Sequence, residues 1–285
     1  MMRTMGGMAL RKITIVMACI AFTAGCANFE KQSKPSVVPD GLPGYVASDT
    51  LPDSGALIPP PPAAGSTALA LDHDISRYSL TLRDSPRWTL AAEDADLTFP
   101  TAAGTFSCAL NAPITEQDTP HLYTLMRRTL ADASLSTSKA KNKYMRTRPF
   151  VENKDRTCSP NAEQALMKSG SYPSGHSAVG WAWALILAEI SPERADAILA
   201  RGRAFGQSRV MCNVHWQSDV IEGRFMGAAT VARLHADPVF RADVESARTE
   251  LTAARARGLK PVRDCKAETD ALAEYPQLAP WPAGK

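Results

Sequence analysis

Gly170-Ser171-Tyr172-Pro173-Ser174-Gly175-His176, followed by the uncharged apolar run 178–188, is the stretch on which the fold turns. A Pro-Ser-Gly turn leading into a helix sets backbone N–H groups and a serine hydroxyl at the positive end of that helix, a good place to hold an anion. The same residues also suit a plain helix cap. Trp181 and Trp183, just past the turn, read as core packing.

Working outward, helix-start signals recur. Thr119-Pro120, Ser191-Pro192 and Asp237-Pro238 each place a capping side chain before a proline at the first helical position. Spaced apolar residues follow, as in Ala195, Ile198 and Leu199. No alternating β-branched run bounded by hairpin turns stands out, so residues 67–258 are predicted to form an all-α domain. Residues 27–66, rich in Pro, Ser and Gly and ending in Pro59-Pro60-Pro61-Pro62, read as an extended linker. The stretch 259–285, with Pro261, Pro276, Pro280 and Pro282, reads as an irregular C-terminal extension.

Two further blocks carry chemistry. Six residues separate Lys141 from Arg148-Pro149, inside a basic cluster with Lys143 and Arg146. Five residues separate Ser208-Arg209 from His215, and Asp219 lies four positions beyond that histidine. On one helix, or reaching back from a helix start, Asp219 can hold one imidazole nitrogen and leave the other free to attack. Each block alone has a plain structural explanation: a solvated basic face, or a common His-x-x-x-Asp. His73, His121 and His235 fall outside the blocks and read as surface or helix residues, and the Arg201–Arg203 region as a solvated helix face.

The chain is 45% hydrophobic and 21% charged over 285 residues, enough for one substantial core. A net charge of +3 and 7% aromatic content give no footprint of a nucleic-acid partner. Arg3, Arg11 and Lys12 followed by the apolar run 13–25 read as a signal peptide, 1–26, too short for the roughly 20 residues that a membrane anchor needs. Thr23-Ala24-Gly25-Cys26 resembles a lipobox, which gives a membrane tether through a lipidated Cys26; cleavage near Ala24–Ala27 is the other reading. Past the leader, Cys108, Cys158, Cys212 and Cys265 suit two disulfides in an oxidising compartment, with three pairings open. No cysteine or histidine spacing suggests a zinc site.

Taken in order, Lys-x6-Arg-Pro, Pro-Ser-Gly-His and Ser-Arg-x5-His-x3-Asp resemble the signature of the type 2 phosphatidic acid phosphatase and vanadium haloperoxidase superfamily at all eleven fixed positions. Gly170–His176, together with Leu57-Ile58-Pro59-Pro60-Pro61-Pro62, Leu90-Ala91-Ala92-Glu93-Asp94-Ala95 and Val210-Met211-Cys212-Asn213-Val214-His215-Trp216-Gln217-Ser218-Asp219, is similar to the class A bacterial non-specific acid phosphatases. The resemblance covers about residues 57–255. It implies an all-helical bundle, usually a homodimer, that hydrolyses phosphate monoesters in the periplasm without metal or other cofactor, and that also passes phosphate to alcohols.

Carried onto this chain, the resemblance implies that Lys141, Arg148, Ser174, Gly175 and Arg209 bind phosphate. His215 is then the nucleophile, Asp219 its orienting carboxylate and His176 a protonated general acid, with an acidic optimum. It also favours Cys158–Cys212 and Cys108–Cys265 as the disulfides. A vanadium-dependent haloperoxidase and a non-catalytic phosphate-binding surface lipoprotein are the competing readings. A membrane lipid phosphatase is disfavoured because no segment past the leader is a long uncharged span.

Overall fold

The computed structural model describes residues 35–37 and 42–274. The expected signal peptide, Cys26 and the prolines at 276, 280 and 282 lie outside the described residues. Two short strands, β1 (Pro35–Val37) and β2 (Pro43–Ala47), pair antiparallel, with Pro35 opposite Ala47 and Val37 opposite Pro43. Helices α1 (Ser54–Leu57), α2 (Thr67–Leu80), α3 (Pro86–Glu93) and α4 (Ser107–Leu110) follow. Next come α5 (Pro120–Ser136), α6 (Ser138–Tyr144), α7 (Pro149–Asn153) and α8 (Glu163–Leu166). The chain continues through α9 (Gly175–Ile190), α10 (Ala195–Met211), α11 (Gln217–Leu234), α12 (Pro238–Ala256) and α13 (Cys265–Ala273).

The all-α expectation holds, and two of the three start signals fall where helices begin, although of Thr119, Ser191 and Asp237 only Asp237 caps through its side chain. Pro120 opens α5 and Pro238 opens α12, where the Asp237 carboxylate accepts from the N–H groups of Val239 and Phe240. At Ser191-Pro192 the proline opens a single 3-10 turn, and α10 begins at Ala195.

Helix α9 is the axis of the bundle, packed against α5, α10 and α11. Its apolar run is buried almost all round, with Val179, Ala182, Trp183, Ile186 and Leu187 inside the main core. Each large aliphatic side chain buried in this way contributes about 1.5–3 kcal/mol. Trp183 meets Phe106 and Phe205 edge-on and donates its indole N–H to the Met126 carbonyl at 2.9 Å. Helix α11 comes so close to α9 that a Cβ on Gly223 would sit 2.4 Å from the Ser174 carbonyl oxygen, and one on Gly227 2.4 Å from that of Ala178. Only glycine permits this approach of backbone to backbone.

Three sequence expectations change here. The described part of the supposed linker is built into the body. Tyr45, Val46, Leu51 and Ile58 are buried, and Asp132 on α5 accepts the Tyr45 N–H at 2.8 Å. Pro59 then accepts the Tyr172 hydroxyl at 2.8 Å, so the polyproline run is a strap across the Gly170–His176 turn. Proline removes N–H donors without removing carbonyl acceptors, and scattered apolar residues suffice to anchor an extended chain.

The C-terminal extension, read as irregular, carries α13. Asp264 caps it by accepting from the N–H groups of Lys266 and Ala267, and Cys265 ties it to Cys108. Arg201, read as part of a solvated face, is buried, because Asp94 binds it through both carboxylate oxygens at 2.5 and 3.1 Å. A paired arginine is one of the few ways a full charge enters a core.

Both favoured disulfides are present, Cys108–Cys265 with Cα atoms 5.4 Å apart and Cys158–Cys212 with Cα atoms 4.7 Å apart. Among the described residues no helix is long and apolar enough to cross a membrane.

Candidate active site

The site forms where four segments meet: α6, the loop into α7, the start of α9, and the turn from α10 to α11. Ser174 is the N-cap of α9, its hydroxyl accepting from the Ser177 N–H at 3.2 Å, so Gly175 and His176 form the first helical turn with their amides at its positive end. A Cβ on Gly175 would touch Thr137 Oγ1 at 3.5 Å and Lys141 Cε at 3.9 Å, so the glycine keeps the space beside Lys141 open.

His215 lies just before α11, whose third residue is Asp219. The Asp219 carboxylate reaches back and takes the Trp216 N–H at 2.9 Å and the His215 Nδ1 at 3.2 Å through the same oxygen. The two residues therefore meet across a helix start and not along one helix face. An ionised carboxylate on Nδ1 selects the tautomer with its proton there and leaves the Nε2 lone pair free. That lone pair faces the Arg148 Nη1 at 3.1 Å.

Arg148 is held by backbone carbonyls. Nε donates to Leu166 at 2.9 Å and to Ser169 at 3.2 Å, Nη1 to Val214 at 3.0 Å, and Nη2 to Gly170 at 3.2 Å. Lys141 donates to the Gly170 carbonyl at 3.1 Å. Arg209 differs from both. It is 2% exposed, yet its Nε and Nη1 find no hydrogen-bond partner among the described residues. A buried guanidinium with donors to spare is costly unless it is kept for an anion.

Electrostatics show how tightly the cations converge. Burial, then the Arg148 and Arg209 charges, lowers the Lys141 pKa to about 7. Burial and Arg148 lower that of Arg209 to about 9, and burial lowers that of Arg148 to about 10. Both histidines are pushed well below the usual imidazole range by burial, His176 next by Arg209 and His215 next by Arg148. The surroundings thus oppose the protonated His176 expected from sequence. His176 Nε2 stands 3.0 Å from the Ala95 carbonyl, which fixes a proton on that nitrogen. Burial also pushes Asp219 up, opposed first by Arg146.

All eight expected residues therefore fall in this one region. The family comparison decides what the region belongs to. Residues 122–242 match the model of the PAP2 superfamily. Over 207 residues the chain is 45% identical to a non-specific acid phosphatase of Providencia stuartii, covering 72% of this chain and 84% of that protein. It is 44% identical over 195 residues to a non-specific acid phosphatase of Salmonella typhimurium, covering 68% of this chain and 78% of the relative. An acid phosphatase of Zymomonas mobilis is 42% identical over 202 residues, 71% of this chain and 76% of its own length.

The chain belongs to the non-specific acid phosphatases of the PAP2 superfamily.

In this acid phosphatase, several residues behind the site escaped the sequence reading. Arg146, set aside in a basic cluster, donates to Asp219 at 2.7 Å and to Asp72 on α2 at 2.8 Å. Asp72 had one signal: it shares the buried face of α2 with Ile75, Ser76 and Ser79, an unusual place for a carboxylate. Asp94 also accepts the Ser208 hydroxyl at 2.6 Å, next to Arg209, while its neighbour Ala95 holds His176. His73 packs on Trp216 with ring centres 5.1 Å apart, and His235 pairs with Glu189 at 3.1 Å, both outside the cation ring. Among the described residues no cluster of histidine, cysteine and carboxylate side chains could hold a metal ion.

Proposed function

We propose that this acid phosphatase hydrolyses phosphate monoesters through a phosphohistidine on His215. The observation that carries the reading is the His215 ring itself: Nδ1 committed to Asp219 and Nε2 turned toward the buried Arg148, with the charge of Arg209 also acting on the ring.

A phosphate dianion entering this ring meets Lys141, Arg148 and Arg209 together with the amides at the start of α9. The cations neutralise its charge and that of the three equatorial oxygens during transfer. The Nε2 lone pair attacks phosphorus and the P–O bond to the alcohol breaks. The imidazole becomes cationic, and Asp219 balances it. The leaving oxygen takes a proton from His176, whose proton affinity rises once the dianion screens Arg209. Water then attacks phosphorus and gives a proton to His176, the P–N bond breaks with its electron pair returning to His215 Nε2, and inorganic phosphate leaves. An alcohol in place of that water yields a new phosphate ester, which is the phosphotransferase reaction.

Export to the periplasm fits the same enzyme. The basic-apolar leader precedes a domain closed by two disulfides, a pattern suited to an oxidising compartment.

The test is hydrolysis of an aryl phosphate at acidic pH with a chelator present, joined to trapping of the phosphoenzyme from a labelled substrate. A covalent adduct stable to base, labile to acid and lost in His215→Ala is expected. Hydrolysis at the wild-type rate by His215→Ala excludes the mechanism. Halide oxidation after vanadate loading, in the absence of hydrolysis, would point to a haloperoxidase.

A further inference from the structure

Behind the His215–Asp219 pair lies a second buried ion pair that the phosphate chemistry does not itself require. Arg146 sits between two carboxylates, with Nη1 at 2.7 Å from Asp219 Oδ1 and Nη2 at 2.8 Å from Asp72 Oδ2. The side chains are 10%, 0% and 3% exposed in that order, so water does little to weaken the pairing. Ser218 completes the frame, accepting from Arg146 Nη1 at 2.7 Å, donating its hydroxyl to Asp72 at 2.5 Å and its N–H to the other Asp72 oxygen at 2.8 Å. Arg146 also lies over the Trp216 ring, 5.4 Å from its centre.

We propose that Arg146 is a positioning residue for the nucleophile: braced on α2 by Asp72, it pins the Asp219 carboxylate that holds His215. The division of oxygens supports this. Asp219 Oδ2 serves His215 and the Trp216 N–H, while Oδ1 serves Arg146, so the guanidinium fixes the carboxylate plane without competing for the histidine. Among the described residues Arg146 donates to Asp219, Asp72 and Ser218 and to none of His215, Lys141, Arg148 and Arg209. Its effect must therefore pass through that carboxylate.

A buried carboxylate with this duty has to stay ionised in acid. Facing the Asp219–His215 pair are Arg146 and Arg148 from the loop before α7, Lys141 from α6, Arg209 from α10, His176 from α9, Tyr172 from the preceding turn, and Asp72 and His73 from α2. Arg146 is the foremost of the charges that oppose protonation of Asp219. Without it the carboxyl takes a proton at higher pH, and the acid limb of the rate profile moves up.

The inference rests on the phosphohistidine reading, and its test separates the two. In Arg146→Gln, kcat for an aryl phosphate falls about 10²-fold, as for a misplaced reacting group, while KM stays within about threefold. The acid limb of kcat moves to higher pH, and Arg146→Lys recovers part of both changes. Nitrogen-edited NMR of the histidine rings reads the tautomer without catalysis: His215 holds its proton on Nδ1 in the wild type and mixes tautomers in Arg146→Gln. Asp72→Asn, which keeps the guanidinium and loosens its brace, gives the same shifts in smaller measure. A folded Arg146→Gln or Asp72→Asn enzyme with wild-type tautomer and pH profile overturns the proposal, and so does a loss confined to KM. Activity retained in His215→Ala would overturn the phosphohistidine instead, leaving the tautomer measurement to decide the role of Arg146.

Discussion

The Arg148 guanidinium stands 3.1 Å from the His215 Nε2 and is held there by four backbone carbonyls. Its direction is built by the chain around it, so a lysine cannot replace it: one nitrogen cannot satisfy the Leu166, Ser169, Val214 and Gly170 carbonyls. Arg148→Lys is expected to lose at least about 10²-fold in kcat/KM and to lower Tm, because buried acceptors go unpaired. Thermal melting beside steady-state kinetics checks both halves.

Arg209 should behave in the opposite way toward stability. Its Nε and Nη1 have no partner among the described residues, so the fold carries the cost of a buried charge that the proposed phosphate site would use. Arg209→Met is expected to be inactive yet more stable by at least about 1 kcal/mol, a rise of about 2–4 °C in Tm for a domain of this size. Inorganic phosphate should raise the Tm of the wild type and leave that of Arg209→Met nearly unchanged. An unstable Arg209→Met protein would show the side chain to be structural.

The two buried histidines give stability a definite pH dependence. Their folded pKa values are depressed, by burial and by the neighbouring cations, below the unfolded value near 6.5. The unfolded chain therefore binds protons that the folded chain refuses, and stability falls as pH drops through about 6.5 toward the lowered folded values. Phosphate, by screening Arg148 and Arg209, should flatten this slope. Melting curves between pH 5 and 8, wild type against His176→Asn with and without phosphate, test it; equal slopes in both proteins would contradict it.

The disulfides should separate stability from activity. Cys108–Cys265 spans 157 residues and anchors α13, which supplies no residue to the cation ring itself. Cys158–Cys212 spans 54 residues and ends three positions before His215. Losing either is expected to cost about 2–5 kcal/mol. Only replacement of Cys158 and Cys212 by serine should also lower kcat, as measured well below the melting range of each variant.

Gly223→Ala tests the contact between α11 and the start of α9. Its Cβ would sit 2.4 Å from the Ser174 carbonyl and 2.9 Å from the Ser177 Cβ, so backbone has to move. A loss of about 1–3 kcal/mol is expected, with a fall in kcat because the moving carbonyl belongs to Ser174, a residue of the proposed phosphate cradle. Unchanged kinetics would mean that α9 yields without disturbing Ser174.

The sequence was most legible where short-range spacing encodes geometry. Pro120 and Pro238 mark helix starts because a missing N–H costs nothing there, and His215 with Asp219 could be paired because four residues bring them together in either of two local geometries. It was least legible where partners are distant in the chain. Arg201 looked like a surface arginine until Asp94, 107 residues away, supplied its counter-charge. Arg146 looked like part of a basic face until Asp72 and Asp219 came from two other helices. Composition also misled for residues 43–66, since a few buried side chains among prolines suffice to moor an extended segment. Charge neutralisation at long range leaves no local pattern.

The glycine seam between α9 and α11 has a consequence for how such an enzyme can diversify. At the seam Gly223 and Gly227 of α11 lie against the Ser174 and Ala178 carbonyls and the Ser177 Cβ, so nothing larger than glycine fits between the Ser174–His176 turn and the helix that carries Asp219. Catalytic geometry is thereby insulated from drift in the sequence around it, whereas the straps and loops at the rim remain open to change. New substrates would be acquired at that rim while the chemistry beneath is inherited intact.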